Sequence, residues 1–134
     1  MIAADLVGVW TLTSFYELDE AGVQLEGPLG QNPSGMLIYT EDGHISVNVM
    51  RTSGTAPTPE SRDYMGYAGT WRLKGDQTVH TIQVSPTFEW IGSEQIRDAE
   101  LHSDRLTLRG TSTVQGQPRT GVLNWHRAPS EATG

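Results

Sequence analysis

Three cationic or titratable side chains in this sequence fall where strand alternation points them inward: His80, Arg97 and Arg127. In the run 79–84, His80 shares a face with Ile82 and Val84, while Thr81 and Gln83 take the other. In the run 95–101, Arg97 shares a face with Ala99 and Leu101, opposite Ile96, Asp98 and Glu100. An interior cation without a partner is costly, and this alternation puts no Asp or Glu on the same faces. A guanidinium has five donors and stays charged, so a ligand carboxylate, enolate or carbonyl would supply the acceptors that Arg97 lacks. His80 has two readings: a neutral imidazole held by a Tyr hydroxyl or a backbone carbonyl, or a donor or base in a cavity. Arg127 has a structural one. If the first and last strands are neighbours, its guanidinium stacks on the indole of Trp10.

Strands must hold these groups. Runs rich in β-branched and aromatic residues cover 9–18, 35–40, 44–50, 67–73, 79–85, 95–101, 105–111 and 120–127. Ala21-Gly22, Asp42-Gly43, Gly75-Asp76, Ser103-Asp104 and Gln115-Gly116 supply turn chemistry between them. About eight antiparallel strands in an up-and-down order suffice to close a β-barrel, so the expected class is all-β. Alternation turns Trp10, Leu12, Ser14 and Tyr16 inward on the first strand, Tyr67 and Trp71 on the fourth, and Leu123 with Trp125 on the last. Two segments break the meander. Thr58-Pro59-Glu60 reads as an N-cap followed by Pro at the first helical position, which predicts one short helix over 58–64. Residues 86–93, with Phe88 and Trp90, are expected to fold over one end of the barrel.

The Asp42-Gly43 hairpin sets which side chains of its strands reach the lumen. With a two-residue loop, Tyr39 pairs with Ser46, so Leu37, Tyr39, His44, Ser46, Asn48 and Met50 share one face. Met36, Ile38, Ile45, Val47 and Val49 share the other. Either the apolar face is core and the mixed face is wet, or the mixed face lines the lumen and the apolar face packs on a second copy. The second arrangement predicts a homodimer through Met36, Ile38, Val47 and Val49 and places Tyr39 and Asn48 in the cavity.

Composition narrows the function classes. A chain of 134 residues fits one domain, here 1–128, followed by a tail at 129–134 that reads as disordered. A net charge of −7 argues against nucleic acid and against an anionic membrane surface. There is no Cys, and the start Met1-Ile2-Ala3-Ala4-Asp5 has no apolar run of signal-peptide length, so the expectation is a cytoplasmic protein without disulfides. His44, His80, His102 and His126 lie on different strands, no glycine-rich turn leads into a helix, and no inward carboxylates pair. No metal and no cofactor is expected.

The ordered set Leu6-Val7-Gly8-Val9-Trp10-Thr11-Leu12-Thr13-Ser14-Phe15, Pro28-Leu29-Gly30, Gly35 to Gly43, Tyr67-Ala68-Gly69-Thr70, Val79-His80, Trp90-Ile91-Gly92, Arg97 and Leu123-Asn124-Trp125-His126-Arg127 resembles the bacterial and fungal lipocalin-like domain family. The resemblance runs from about Leu6 to Arg127, and departs from the family in a short segment between Arg51 and Tyr64. It implies a calycin-type barrel around a small apolar molecule with a polar end, with Tyr39, His80 and Arg97 at pattern positions. Its relatives occur near secondary-metabolite pathways, and related barrels include cofactor-independent cyclases. One expected function is therefore a cyclase, isomerase or dehydrating cyclase on a polyketide-like intermediate. In it His80, Arg97 and Tyr39 are catalytic, and Ser14, Tyr16, Asn48, Tyr67, Trp71, Ile82, Phe88, Trp90, Leu101 and Leu123 bind the ligand. The alternative is a carrier that uses the same cup without turnover.

Overall fold

The structure is a computed structural model that describes residues 1–59, 61–114 and 116–131. Its strands are β1 (Gly8–Leu18), β2 (Gln24–Glu26), β3 (Ser34–Tyr39), β4 (His44–Met50), β5 (Tyr64–Lys74), β6 (Gln77–Val84), β7 (Glu94–His102), β8 (Arg105–Val114) and β9 (Gln117–Arg127). They form one antiparallel sheet in the order β2-β1-β3-β4-β5-β6-β7-β8-β9, and β1 pairs with β9 to close it. Eight strands make the barrel, and β2 is an extra short strand beside the far end of β1. Among the described residues helical backbone is limited to single 3-10 turns at Ala3–Asp5 and Phe88–Trp90. Among the described residues no helix is long and apolar enough to cross a membrane.

Among the described residues of the segment 58–64 the expected helix is not seen. Glu60 lies outside the described residues, Thr58 and Ser61 close one turn with a 3.1 Å backbone bond, and Tyr64 already begins β5. The backbone is bonded elsewhere instead: the Arg62 N–H donates to the Pro28 carbonyl at 2.7 Å, not four residues back to Thr58, and the Asp63 carbonyl accepts from the Arg51 N–H at 2.8 Å. Of the tail, residues 129–131 have no regular structure and residues 132–134 lie outside the described residues.

One end of the barrel is sealed as the sequence reading expects. The Arg127 guanidinium carbon lies 4.2 Å over the Trp10 ring. Its Nη1 and Nη2 donate to the carbonyls of Val7 and Asp5 at 2.9 and 2.7 Å. Gly8, at φ 135°, leaves room for it, because a Cβ there would stand 2.9 Å from Arg127 Nη1. Arg127→Met loses the stacking and strands two acceptors, so it should lower unfolding free energy in urea by about 1–3 kcal/mol.

Three one-residue shifts decide which side chains face the lumen. In β1 the register passes from Leu12↔Trp125 to Ser14↔Asn124, so Thr13 is an extra residue and Phe15, not Ser14 or Tyr16, turns inward opposite Leu123. Glu17 follows Phe15 onto the inner face, where an acid was not expected; burial raises its carboxyl above the usual range, against the pull of Arg119. In β6 a second shift lets the backbone at Thr81–Gln83 close over Gly69, where a Cβ would overlap the Thr81 carbonyl, and Val84 turns out to solvent. At the hairpin the loop has three residues, with Thr40 N bonded to the His44 carbonyl at 2.9 Å and Gly43 at φ 92°. Tyr39 therefore pairs with Ile45, and the buried face is Leu37, Tyr39, Ile45, Val47 and Val49. Val47 and Val49 point into the barrel, so of the four residues expected to form the dimer face only Met36 and Ile38 remain outside, and Asn48 is exposed.

Candidate functional site

The barrel is filled at its sealed end by Leu6, Trp10, Tyr39, Ile45, Trp71 and Leu106. Beyond this plug lies a cavity of about 110 Å³. Its apolar wall is Phe15, Leu37, Val47, Val49, Met65, Trp90, Leu108, Leu123 and Trp125, and its polar wall is Tyr67, His80, Gln95 and Arg97. The polar wall comes from adjacent strands: His80 on β6 pairs with Gln95 on β7, and Tyr67 on β5 reaches the His80 ring with its hydroxyl. Trp90 reaches in from its 3-10 turn and meets Tyr67 edge to face at 6.3 Å between ring centroids.

His80 is buried between two phenols. The Tyr39 hydroxyl lies 2.6 Å from Nε2, and the Tyr67 hydroxyl lies 2.6 Å from Nδ1. Burial, aided by the nearby Arg97 charge, lowers the imidazole from 6.5 to about 3. Burial pushes the Tyr67 phenol up to about 12 and the Tyr39 phenol higher still. At neutral pH this triad is uncharged.

That neutrality has a consequence for stability. The folded-state value of His80 lies below its unfolded value, so its contribution is fully present above about pH 6.5 and is lost as pH falls toward about 3. Within that window the residue should remove up to about 1.4 kcal/mol of stability per pH unit. His80→Gln, which keeps hydrogen bonds but does not titrate, should flatten this limb in urea denaturation compared between pH 7 and pH 4.5.

Arg97 is half-buried at the edge of the cavity. Its Nη1 donates to the Ile96 carbonyl at 3.0 Å, and its Nη2 to Gln95 Oε1 at 2.6 Å. Among the described residues no carboxylate lies within ion-pair distance of it. The guanidinium lies over Gly110, where a Cβ would stand 2.5 Å from Nη1. Because Arg97 uses the Gln95 oxygen, the Gln95 amide nitrogen keeps its donors.

The expected site residues divide clearly. His80, Arg97, Tyr67, Trp90 and Leu123 line the cavity. Tyr39 is buried behind His80 and reaches the cavity through it. Trp71 packs on Tyr39 at 4.3 Å and donates to the Thr40 carbonyl at 3.0 Å, and Leu101 packs on the core; neither lines the cavity. Ile82 is buried away from the cavity wall, its backbone bonded to Gly92 and Ser93. Ser14 and Tyr16 line a groove on the outer wall, turned there by the Thr13 bulge. Asn48 accepts a hydrogen bond from Tyr64 on the outer face, because the three-residue loop shifts its strand. Phe88 is 82% exposed: its 3-10 turn sends Trp90 inward instead. The sequence reading missed Phe15, Met65 and Gln95, and placed Val47 and Val49 inside only in the alternative without a homodimer. Gln95 was in reach, since it alternates with Arg97 on the same strand.

The family model described as Lipocalin-like domain matches residues 7–128. No curated protein matches the chain. Among solved structures, the chain is similar to one described as "REP1-NXSQ fatty acid transporter", with 13% identity, a TM-score of 0.46, and coverage of 96% of this chain and 100% of that one.

Proposed function

The chain belongs to the lipocalin-like domain family, and from that premise we propose that it binds a small apolar molecule whose oxygen-bearing end rests against Arg97, Gln95 and Tyr67. The observation that carries this reading is the half-buried Arg97 guanidinium, facing an apolar cavity with no carboxylate beside it among the described residues. Arg97, the Gln95 amide and a phenol offer donors, so the complement is an acceptor such as a carboxylate or carbonyl oxygen.

Binding is favoured over turnover by the state of the same groups. Both His80 nitrogens are engaged by phenols, and its conjugate acid, near 3, makes it a weak base at neutral pH. Tyr67 stays protonated, at about 12. The wall thus gives hydrogen bonds but no group suited to take a substrate proton, and this moves the reading from cyclase or isomerase toward carrier. Size points the same way. A cavity of about 110 Å³ is smaller than the roughly 150 Å³ that holds benzene. It takes the polar end and a few carbons, not a folded polyketide.

Titration calorimetry with n-alkanoates from butanoate to decanoate tests this. Affinity should rise by about 0.8 kcal/mol per added CH₂ while carbons enter the cavity, then level off once the chain reaches the mouth. Absence of binding by every member at millimolar concentration would contradict the proposal.

A further inference from the structure

The two 2.6 Å contacts of His80 cannot be alike. A neutral imidazole has one N–H and one lone pair, so one phenol donates to the ring while the other accepts from it. If Tyr39 donates to Nε2, then Nδ1–H donates to the Tyr67 oxygen and the Tyr67 hydroxyl proton is free to point elsewhere. If Tyr67 donates to Nδ1, then Nε2–H donates to Tyr39 and the Tyr39 proton needs an acceptor. The fully buried Thr78 hydroxyl makes no hydrogen bond among the described residues, and its pull on the Tyr39 phenol, against the effect of burial, places it nearby. A turn of either hydroxyl would let it accept from Tyr39 in one arrangement and donate to Tyr39 in the other. Both arrangements hold the same number of protons, and they differ in what Tyr67 offers: a donor in the first, a lone pair in the second.

Resting on the binding reading above, we infer that Tyr67, His80 and Tyr39 form a two-way relay, and that an acceptor-only ligand end, an ionised carboxylate, fixes it with the proton on His80 Nδ1 and the Tyr67 hydroxyl donating to the ligand. The surroundings favour that outcome. Tyr67 and Arg97 line the same cavity, so one carboxylate can take a charge-assisted bond from the guanidinium and a second from the phenol. In the opposite polarity Tyr67 would turn a lone pair toward the anion. The relay thus selects ionised acids over ligands ending in a donor, and His80 reports the choice without touching the ligand. His80 is a positioning residue in this scheme, and Tyr67 is the one in contact.

The test is long-range ¹H–¹⁵N NMR of His80 in the octanoate complex of the full chain. The expected result is a protonated Nδ1 and an unprotonated Nε2. Tyr67→Phe should move the proton to Nε2, where Tyr39 alone can still accept it, and weaken octanoate about tenfold. A complex that binds octanoate with the proton on Nε2, or a Tyr67→Phe complex that keeps it on Nδ1, would overturn the relay and leave the binding reading standing. Failure of the wild-type chain to bind octanoate would overturn both.

Discussion

Arg97→Met should weaken octanoate binding by at least about 100-fold, equal to roughly 2.7 kcal/mol, while the melting temperature changes little. The binding loss follows from the role assigned to Arg97, the one fixed cation among the cavity-lining residues. Met keeps much of the apolar volume and removes every donor. The small stability change follows from its partners. Among the described residues only the Ile96 carbonyl and the Gln95 amide oxygen accept from it, and both sit on a half-buried edge where water can replace a guanidinium. Removing an interior charge without a carboxylate partner also removes a desolvation cost. A lower melting temperature with unchanged affinity would mean that Arg97 is a structural clasp like Arg127.

Gly110→Ala should reproduce much of that loss without touching Arg97, lowering octanoate affinity about tenfold while leaving the barrel as stable or slightly more so. A Cβ at this position would stand 2.5, 2.6 and 2.7 Å from Nη1, Cζ and Cδ of Arg97. The three nearest atoms all belong to that long side chain, which can move while the strand stays in place. Gly110 lies within β8, paired with Gly121, and its backbone is outside the left-handed region. Alanine is therefore unstrained there and loses less conformational freedom on folding than glycine. In an Arg97→Met background the same change should have no effect on affinity. Wild-type affinity in Gly110→Ala alone would show that the seat of the guanidinium on Gly110 is unimportant.

Much of this architecture can be read from periodicity and turn residues. The spacing of Gly, Asp and Pro separates the eight barrel strands to within a few residues, and Trp10 with Arg127 marks the seam where the barrel closes. The inward set His80, Arg97, Tyr67 and Leu123 is legible because each lies on a stretch of strand before any shift in register. The errors share one physical origin. Alternation has a period of two, so a single extra residue reverses every face beyond it. Thr13 exchanges Phe15 for Ser14 and Tyr16, the residue at Gln83 turns Val84 outward, and the third loop residue before His44 exchanges Val47 and Val49 for Asn48. Nothing in the local composition announces the Thr13 bulge. Gly69 could have hinted at the second, since a glycine within a strand often marks close backbone approach. The β2 strand is only three residues long and pairs beside β1 for tertiary reasons, so no alternation could mark it.

The central claim is that an acid-ended apolar molecule places its carboxylate at Arg97 and its first carbons in the barrel cavity. Octanoate titrated into the ¹⁵N-labelled chain, with the Arg97 Nε–H and the indole N–H groups of Trp90 and Trp125 followed by NMR, tests it directly. The account expects these signals to shift together along one saturable curve, and the same titration of Arg97→Met to leave both indole signals in place. Saturable shifts confined to the outer groove of Ser14, Tyr16 and Gln31, with Arg97 unmoved, would contradict it.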